Sequence, residues 1–150
     1  MKFDRGNTTV TIDLDIAKRK KKAQYLLDSQ VMNDMIPYMP MVSGVFIQNT
    51  RTRSAALAGS GVVCAAAPPY GRFLYFGRKM KDSQTGKGPR RMVMPDGEVI
   101  YRWRKGATLT ATNQPLRYSR ASAKAQWFKE AKKRHFNEWV GIAKETIING

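Results

Sequence analysis

The chain has one cysteine and one histidine in 150 residues, and 11 acidic side chains against 27 lysines and arginines. Each scarcity excludes something. A lone Cys64 cannot close an internal disulfide, which fits a reducing cytoplasm. It lies in Val62-Val63-Cys64-Ala65-Ala66, an apolar strand-like run in which it reads as a small core residue. One Cys and one His cannot make a zinc site, so neither metal nor cofactor is expected. His135 is flanked by Lys132, Lys133 and Arg134 on a helical pattern, and Asp13, Asp15 and Asp28 are scattered along another. With no nucleophile or paired carboxylate at a readable spacing, no enzyme and no small-molecule substrate are expected. No apolar run approaches the roughly 18 residues of a membrane span, and Met1-Lys2-Phe3-Asp4-Arg5 does not begin a signal peptide, so no membrane is expected. Two near-motifs also fail. Thr85-Gly86-Lys87-Gly88 has Lys81 where a phosphate loop needs its first glycine and Gly88 where it needs Ser or Thr, and Gly59-Ser60-Gly61 meets Cys64 where a dinucleotide fingerprint needs its third glycine.

What remains is a net charge of +16 on an ordinarily apolar chain, 42% hydrophobic. A single domain of this length buries about two thirds of its unfolded surface. A charge of this size repels itself and calls for an anionic partner. The span 78–105 alone holds nine cations and three acids. Within it Tyr101 and Trp103 alternate with Arg102 and Arg104, which fits an aromatic-basic nucleic-acid face, although a half-buried strand with its rings inward is the plainer reading. Arg90 and Arg91, with Lys18, Lys20 and Lys21 from the five-cation block Lys18–Lys22, complete the candidates for contact with DNA or another anionic surface; a solvated helix face is the plainer reading of that block.

The spacing predicts a first helix from a cap at Asp13 or Asp15 to about Ile36, with Ile16, Ala23, Leu27, Val31 and Met35 on one face, ended by Pro37 and Pro40. Before it, residues 1–12 read as a flexible polar arm or edge strand. Strands are expected at about Thr50–Leu57 and Val62–Ala66 around Gly59-Ser60-Gly61, and at Arg90–Met94 and Glu98–Trp103 around Pro95-Asp96-Gly97, a strong hairpin signal. Residues 78–90 read as a basic loop and 106–120 as a connection. A final helix is expected over Ser122–Ile148, striped by Phe128, Ala131, His135, Trp139, Ala143 and Ile147. The class is α+β: an antiparallel sheet of about four strands, packed by long N-terminal and C-terminal helices.

The densest feature is Pro68-Pro69-Tyr70-Gly71-Arg72-Phe73-Leu74-Tyr75-Phe76-Gly77, which places four of fifteen aromatic residues within seven positions and runs into Arg78-Lys79-Met80-Lys81. Such a run serves either as a plug at one end of the core or as a docking surface. The docking reading takes Tyr70, Arg72, Tyr75, Phe76, Arg78, Lys79, Lys81 and Lys87 as the partner interface, with Phe73 and Leu74 turned inward and Tyr75 outward.

Five segments taken in order carry a likeness: residues 23–35 (Ala23-Gln24-Tyr25-Leu26-Leu27 onward), Tyr38-Met39-Pro40-Met41-Val42-Ser43-Gly44, Tyr70 to Gly77, Thr85-Gly86-Lys87-Gly88, and Trp127-Phe128-Lys129-Glu130-Ala131-Lys132. Together they resemble the minor capsid proteins of tailed phages of Gram-positive hosts, and more broadly the head–tail joining and tail-completion proteins of the virion neck. The family usually has a small residue, often Ala, where Gly71 stands, and commonly an acid where Val42 stands. The resemblance implies a non-enzymatic virion protein, assembled in the bacterial cytoplasm. It would form a six-fold or twelve-fold ring of itself between neighbouring neck and tail proteins, with double-stranded DNA passing through. A lumen lined by most of the cations would grip that DNA, so most of them are expected on outer or ring-to-ring surfaces.

Overall fold

The computed structural model describes residues 5–68, 70–97 and 99–149, with side-chain detail from residue 15 onward. The α+β class holds, with the long terminal helices packed on each other. Helix α1 spans Arg5–Met35 and helix α4 spans Trp127–Asn149. They run antiparallel, since the Trp139 indole N–H donates to Asp34 Oδ2 (2.6 Å) at one end and Arg19 donates to the Ile148 carbonyl (3.3 Å) at the other. Val31 and Met35 meet Ala131 and Trp139 in the core, and Ala23 is buried further along α1, as their spacing predicts; Ile16 and Ile147, expected on the same stripes, are exposed near the far ends of the pair.

α1 begins well before the expected cap, so Asp13 and Asp15 lie inside the helix and the arm reading of residues 5–12 is corrected; residues 1–4 lie outside those described. Alternation in Thr9-Val10-Thr11-Ile12 imitates a strand. A helix already nucleated and packed further along needs only one more hydrogen bond per added residue, and propagation overrides that pattern. At the other end a 3₁₀ turn, Ile36–Tyr38, follows, and Met39 is extended ahead of Pro40.

The strand expected at Thr50–Leu57 is a helix. Helix α2 (Val45–Leu57) follows Gly44, whose φ of 81° opens the turn. Its buried stripe is Ile47, Thr50 and Ser54, at helical spacing, with two positions polar. Thr50 Oγ1 donates to the Phe46 carbonyl (2.8 Å) and accepts from the Ala67 amide (3.2 Å), while Ser54 Oγ donates to the Cys64 carbonyl (2.9 Å). Burial without penalty therefore rests on hydrogen bonds that no hydropathy pattern announces. Residues 62–66 are irregular chain beneath the core, not a strand.

Two strands lie where loops were expected. Strand β1 (Arg78–Asp82) pairs antiparallel with β4 (Leu109–Pro115), and β2 (Arg90–Val93) pairs with β3 (Val99–Arg102) across the predicted Asp96-Gly97 turn. The strands form two separate two-stranded sheets instead of one sheet of four. The basic segment is thus a strand followed by a turn: the Asp82 amide donates to the Lys87 carbonyl (2.8 Å) and the Gly86 amide to the Asp82 carbonyl (2.7 Å).

Helix α3 (Gly71–Phe76) joins the helical layer to β1. A Cβ on Gly71 would stand 2.6 Å from the Ala66 carbonyl carbon and 2.7 Å from its oxygen. Alanine does not fit this backbone, and only glycine permits so close an approach.

Candidate interaction surfaces

The aromatic segment divides differently from the expected split. Leu74 packs against the core, and so does Tyr75, whose ring meets Trp127 edge-on at 4.9 Å between centroids. Burial holds the Tyr75 hydroxyl above the ordinary tyrosine range. Tyr75 is therefore not an outward residue. The outward rings are Tyr70 (43% exposed), which precedes α3, and Phe76 (51% exposed), which stands edge-on to Tyr75 at 5.4 Å. Arg72 is exposed beside them. A short helix turns successive side chains about 100° apart, so Tyr75 and Phe76 cannot share one face; assigning both to the partner surface missed this.

On β1, Arg78, Lys79 and Lys81 project into water, with Arg78 Nη1 donating to the Asn113 carbonyl (3.2 Å). Lys87 is exposed on the following turn. Arg104, a candidate for DNA contact, is committed instead to a clasp. Its Nε donates to Asp82 Oδ2 (3.0 Å) and its Nη2 to Gln84 Oε1 (2.6 Å), while the Gln84 amide donates to Asp82 Oδ1 (3.0 Å). The Arg104 hydrogen bond, then the Gln84 amide, hold the Asp82 carboxyl below the usual range. Asp82 is only 2% exposed but lies under little protein, so the solvent still screens it. Glu130, bonded by Arg134 and then Lys124, is lowered in the same direction. A depressed carboxylate stabilises the fold above its unfolded pKa of about 4 and loses that contribution as pH falls through its folded value. Melting temperature should therefore fall on acidification below about pH 4, and Asp82→Asn should flatten that fall. An unchanged acid profile in the variant would mean the clasp does not hold the β1 turn.

The β2–β3 hairpin is open to solvent. All four β2 residues are exposed, as are Tyr101 (64%) and Arg102, so the ring of Tyr101 does not face a core. Arg90 pairs directly with Arg102 across the hairpin and Arg91 with Tyr101. Like charges placed opposite each other destabilise a ladder, and an anion between them offsets that cost. The third basic group, Lys18, Lys20 and Lys21, is exposed on α1.

Three features were missed from the sequence. Asp28, one of the carboxylates read as scattered, is buried and accepts from the amides of Gly59 (2.8 Å) and Gly61 (3.0 Å) and from Gln24 Nε2 (2.7 Å). It ties α1 to the turn after α2. The glycines at 59 and 61, with φ of 89° and 79°, present those amides; two glycines bracketing a serine were the available signal. His135 does have a carboxylate at helical spacing, with its Nδ1 3.1 Å from Glu138 Oε2. Asp34 stands near both, the three ligand-type atoms lying within 4.8 Å of one another. Both Asp34 oxygens already accept hydrogen bonds, from Gln30 and Trp139.

The third missed feature is an apolar groove of about 540 Å³ along the seam of α1 and α4. Leu27 and Val31 line it from α1, Trp139, Val140 and Ala143 line it from α4, and Tyr75 of α3 joins them. Lys132 and Lys144 stand on its lip, and Phe136 at its edge is 49% exposed. Both helical stripes were read as core; the groove exists because they extend beyond what the other elements cover. Among the described residues no helix is long and apolar enough to cross a membrane. No protein-family model, curated protein or solved structure matches the chain.

Proposed function

We propose that the chain is a structural virion protein of a tailed phage: a ring-forming subunit of the head–tail connector that acts by assembly and not by catalysis. The observation that carries this reading is the open groove between α1 and α4. A slot of about 540 Å³ walled by aliphatic side chains and lipped by lysines is costly to leave in water and matches a macromolecular neighbour. The exposed rings of Tyr70 and Phe76, with Arg72, supply a second surface for adjacent neck or tail proteins. The likeness of the five segments to neck proteins supplies the setting, the virion neck, with DNA passing through the ring.

The test is the position of the chain in an intact particle, read by cryo-electron microscopy or site-directed labelling. Density at the head–tail junction, and unattached heads and tails when the chain is withheld, are the expected results. Complete infectious particles assembled without it would refute the reading.

A second reading, a basic nucleic-acid-binding module without a virion role, is favoured by the exposed Arg90–Arg102 pair on β2–β3. A chain that binds short duplexes with a steep salt dependence and never co-assembles with virion components would establish it in place of the first.

A further inference from the structure

We infer that the groove between α1 and α4 receives the first turns of α1 from a second copy of this chain, so that copies join head to tail. This deepens the assembly reading of the groove and names its occupant.

Three observations lead to that occupant. The first is shape. Two antiparallel helices with a continuous apolar seam accept a third helix, and the groove follows α4 from Phe128 to Ile147, about 28 Å at 1.5 Å per residue. The second is chemistry. The lip is cationic, through Lys132 and Lys144, while Asp28 within it is occupied by the Gly59 and Gly61 amides. In a chain with 27 cations, the segment Thr8-Thr9-Val10-Thr11-Ile12-Asp13-Leu14-Asp15-Ile16-Ala17 has none; it has four large aliphatic residues and two aspartates. As a helix it spans about 14 Å, which the groove accommodates.

The third is connectivity. α1 is unbroken from Arg5 to Met35, and the end of α4 meets it at Arg19, whereas the groove begins at Gln24. On this unbroken helix, segment 8–17 continues away from its own groove. A second molecule can therefore receive it. Donor segment and acceptor groove are different surfaces of one subunit, so the contact is heterologous, and repetition closes a ring or extends a filament. Repulsion between copies of net charge +16 is screened beyond about 8 Å at physiological salt, while the Asp-to-Lys contacts act inside that distance.

The test is sedimentation of the full-length chain over a concentration series. The unaltered chain should associate beyond a dimer. Leu14→Glu in the segment and Val140→Glu in the groove should each weaken association by about a hundredfold or more, because each places a charge in an apolar contact. Mixed in equal amounts, the two variants should form one-to-one dimers and nothing larger, since only one joint between them is intact. Asp13→Lys with Asp15→Lys should weaken association about tenfold. Adding Lys132→Glu and Lys144→Glu to the same chain should restore it. Those two lysines are exposed, so the charge exchange remains informative if Val140→Glu unfolds by circular dichroism. A chain that stays monomeric throughout, a two-fold dimer that survives Leu14→Glu, or a groove filled by a fatty-acid probe with no effect of the segment variants would each overturn the inference. Particles that contain the chain while its association ignores both variant sets would overturn the groove assignment alone. Association obeying these rules in a chain absent from particles would overturn the neck reading alone.

Discussion

Replacing Trp127 with alanine should lower the free energy of unfolding by about 3–5 kcal/mol, among the largest effects available to a single core substitution. Trp127 is fully buried and opens α4. Its ring is edge-on to Tyr75 at 4.9 Å and to Phe46 at 5.9 Å, so it joins α3, α4 and the start of α2. Its indole N–H donates to the Ala65 carbonyl at 2.7 Å. The substitution removes the largest fully buried side chain, opens a cavity where three elements meet, and leaves that carbonyl without its donor. The backbone just before it is also under constraint: Gln126 has φ of 54°, and its amide donates to the Tyr75 carbonyl at 2.6 Å. Holding Gln126 in that left-handed conformation costs about 1–3 kcal/mol. For a domain of this size each kcal/mol shifts the melting temperature by about 2–4 °C, so a fall of about 10 °C is expected. Trp127→Phe keeps much of the ring contact and loses the hydrogen bond, and should cost less. Urea denaturation followed by far-ultraviolet circular dichroism measures both, and a loss below about 1 kcal/mol for the alanine variant would show that the three elements do not depend on this ring.

The same geometry separates two residues that look alike in the sequence. Tyr75→Ala removes a core contact and should act through stability. Phe76→Ala removes an exposed ring and should leave the fold intact while weakening contact with a neighbour. In the sequence both belong to one aromatic run, and only the turn of α3 tells them apart.

That contrast shows which kinds of feature were legible. The two terminal helices were, because their apolar residues recur every three or four positions and the middle of each stripe enters the core. The β2–β3 hairpin was, because Asp96-Gly97 satisfies a local backbone requirement that needs no distant partner. α2 was not, because its buried stripe includes Thr50 and Ser54, whose fitness for the core depends on the Phe46 and Cys64 carbonyls and the Ala67 amide. β1 and β4 were not, because Arg78-Lys79-Met80-Lys81-Asp82 and Leu109-Thr110-Ala111-Thr112 have little apolar alternation. Pairing across a long sequence separation, with the Asp82–Arg104 clasp beside it, makes them strands. For the candidate surfaces, charge was visible in composition, whereas the groove is defined by the covering that two helices lack, a property of the assembled fold.

Neutralising the hairpin, Arg90→Gln with Arg91→Gln and Arg102→Gln, should reduce the affinity of the chain for a short DNA duplex by about a hundredfold at physiological salt. Each phosphate contact contributes a slope of about −0.9 in log K against log salt, so losing three contacts should lessen the slope by about 2.7, which at about 0.15 M salt corresponds to that factor. Arg104 is left in place because its guanidinium already serves Asp82 and Gln84, and removing it would disturb the β1 turn. The hairpin is open on both faces, so the three replacements should leave the melting temperature nearly unchanged. The Arg90–Arg102 opposition should even be relieved. If the slope falls by only a small fraction, DNA is held by cations spread over α1 and β1, and the hairpin is one patch among several. Particle assembly then separates the two functional readings. A virion subunit joined through its helical groove should still enter particles with this hairpin neutralised, whereas a module whose function is DNA contact loses its activity with those three arginines.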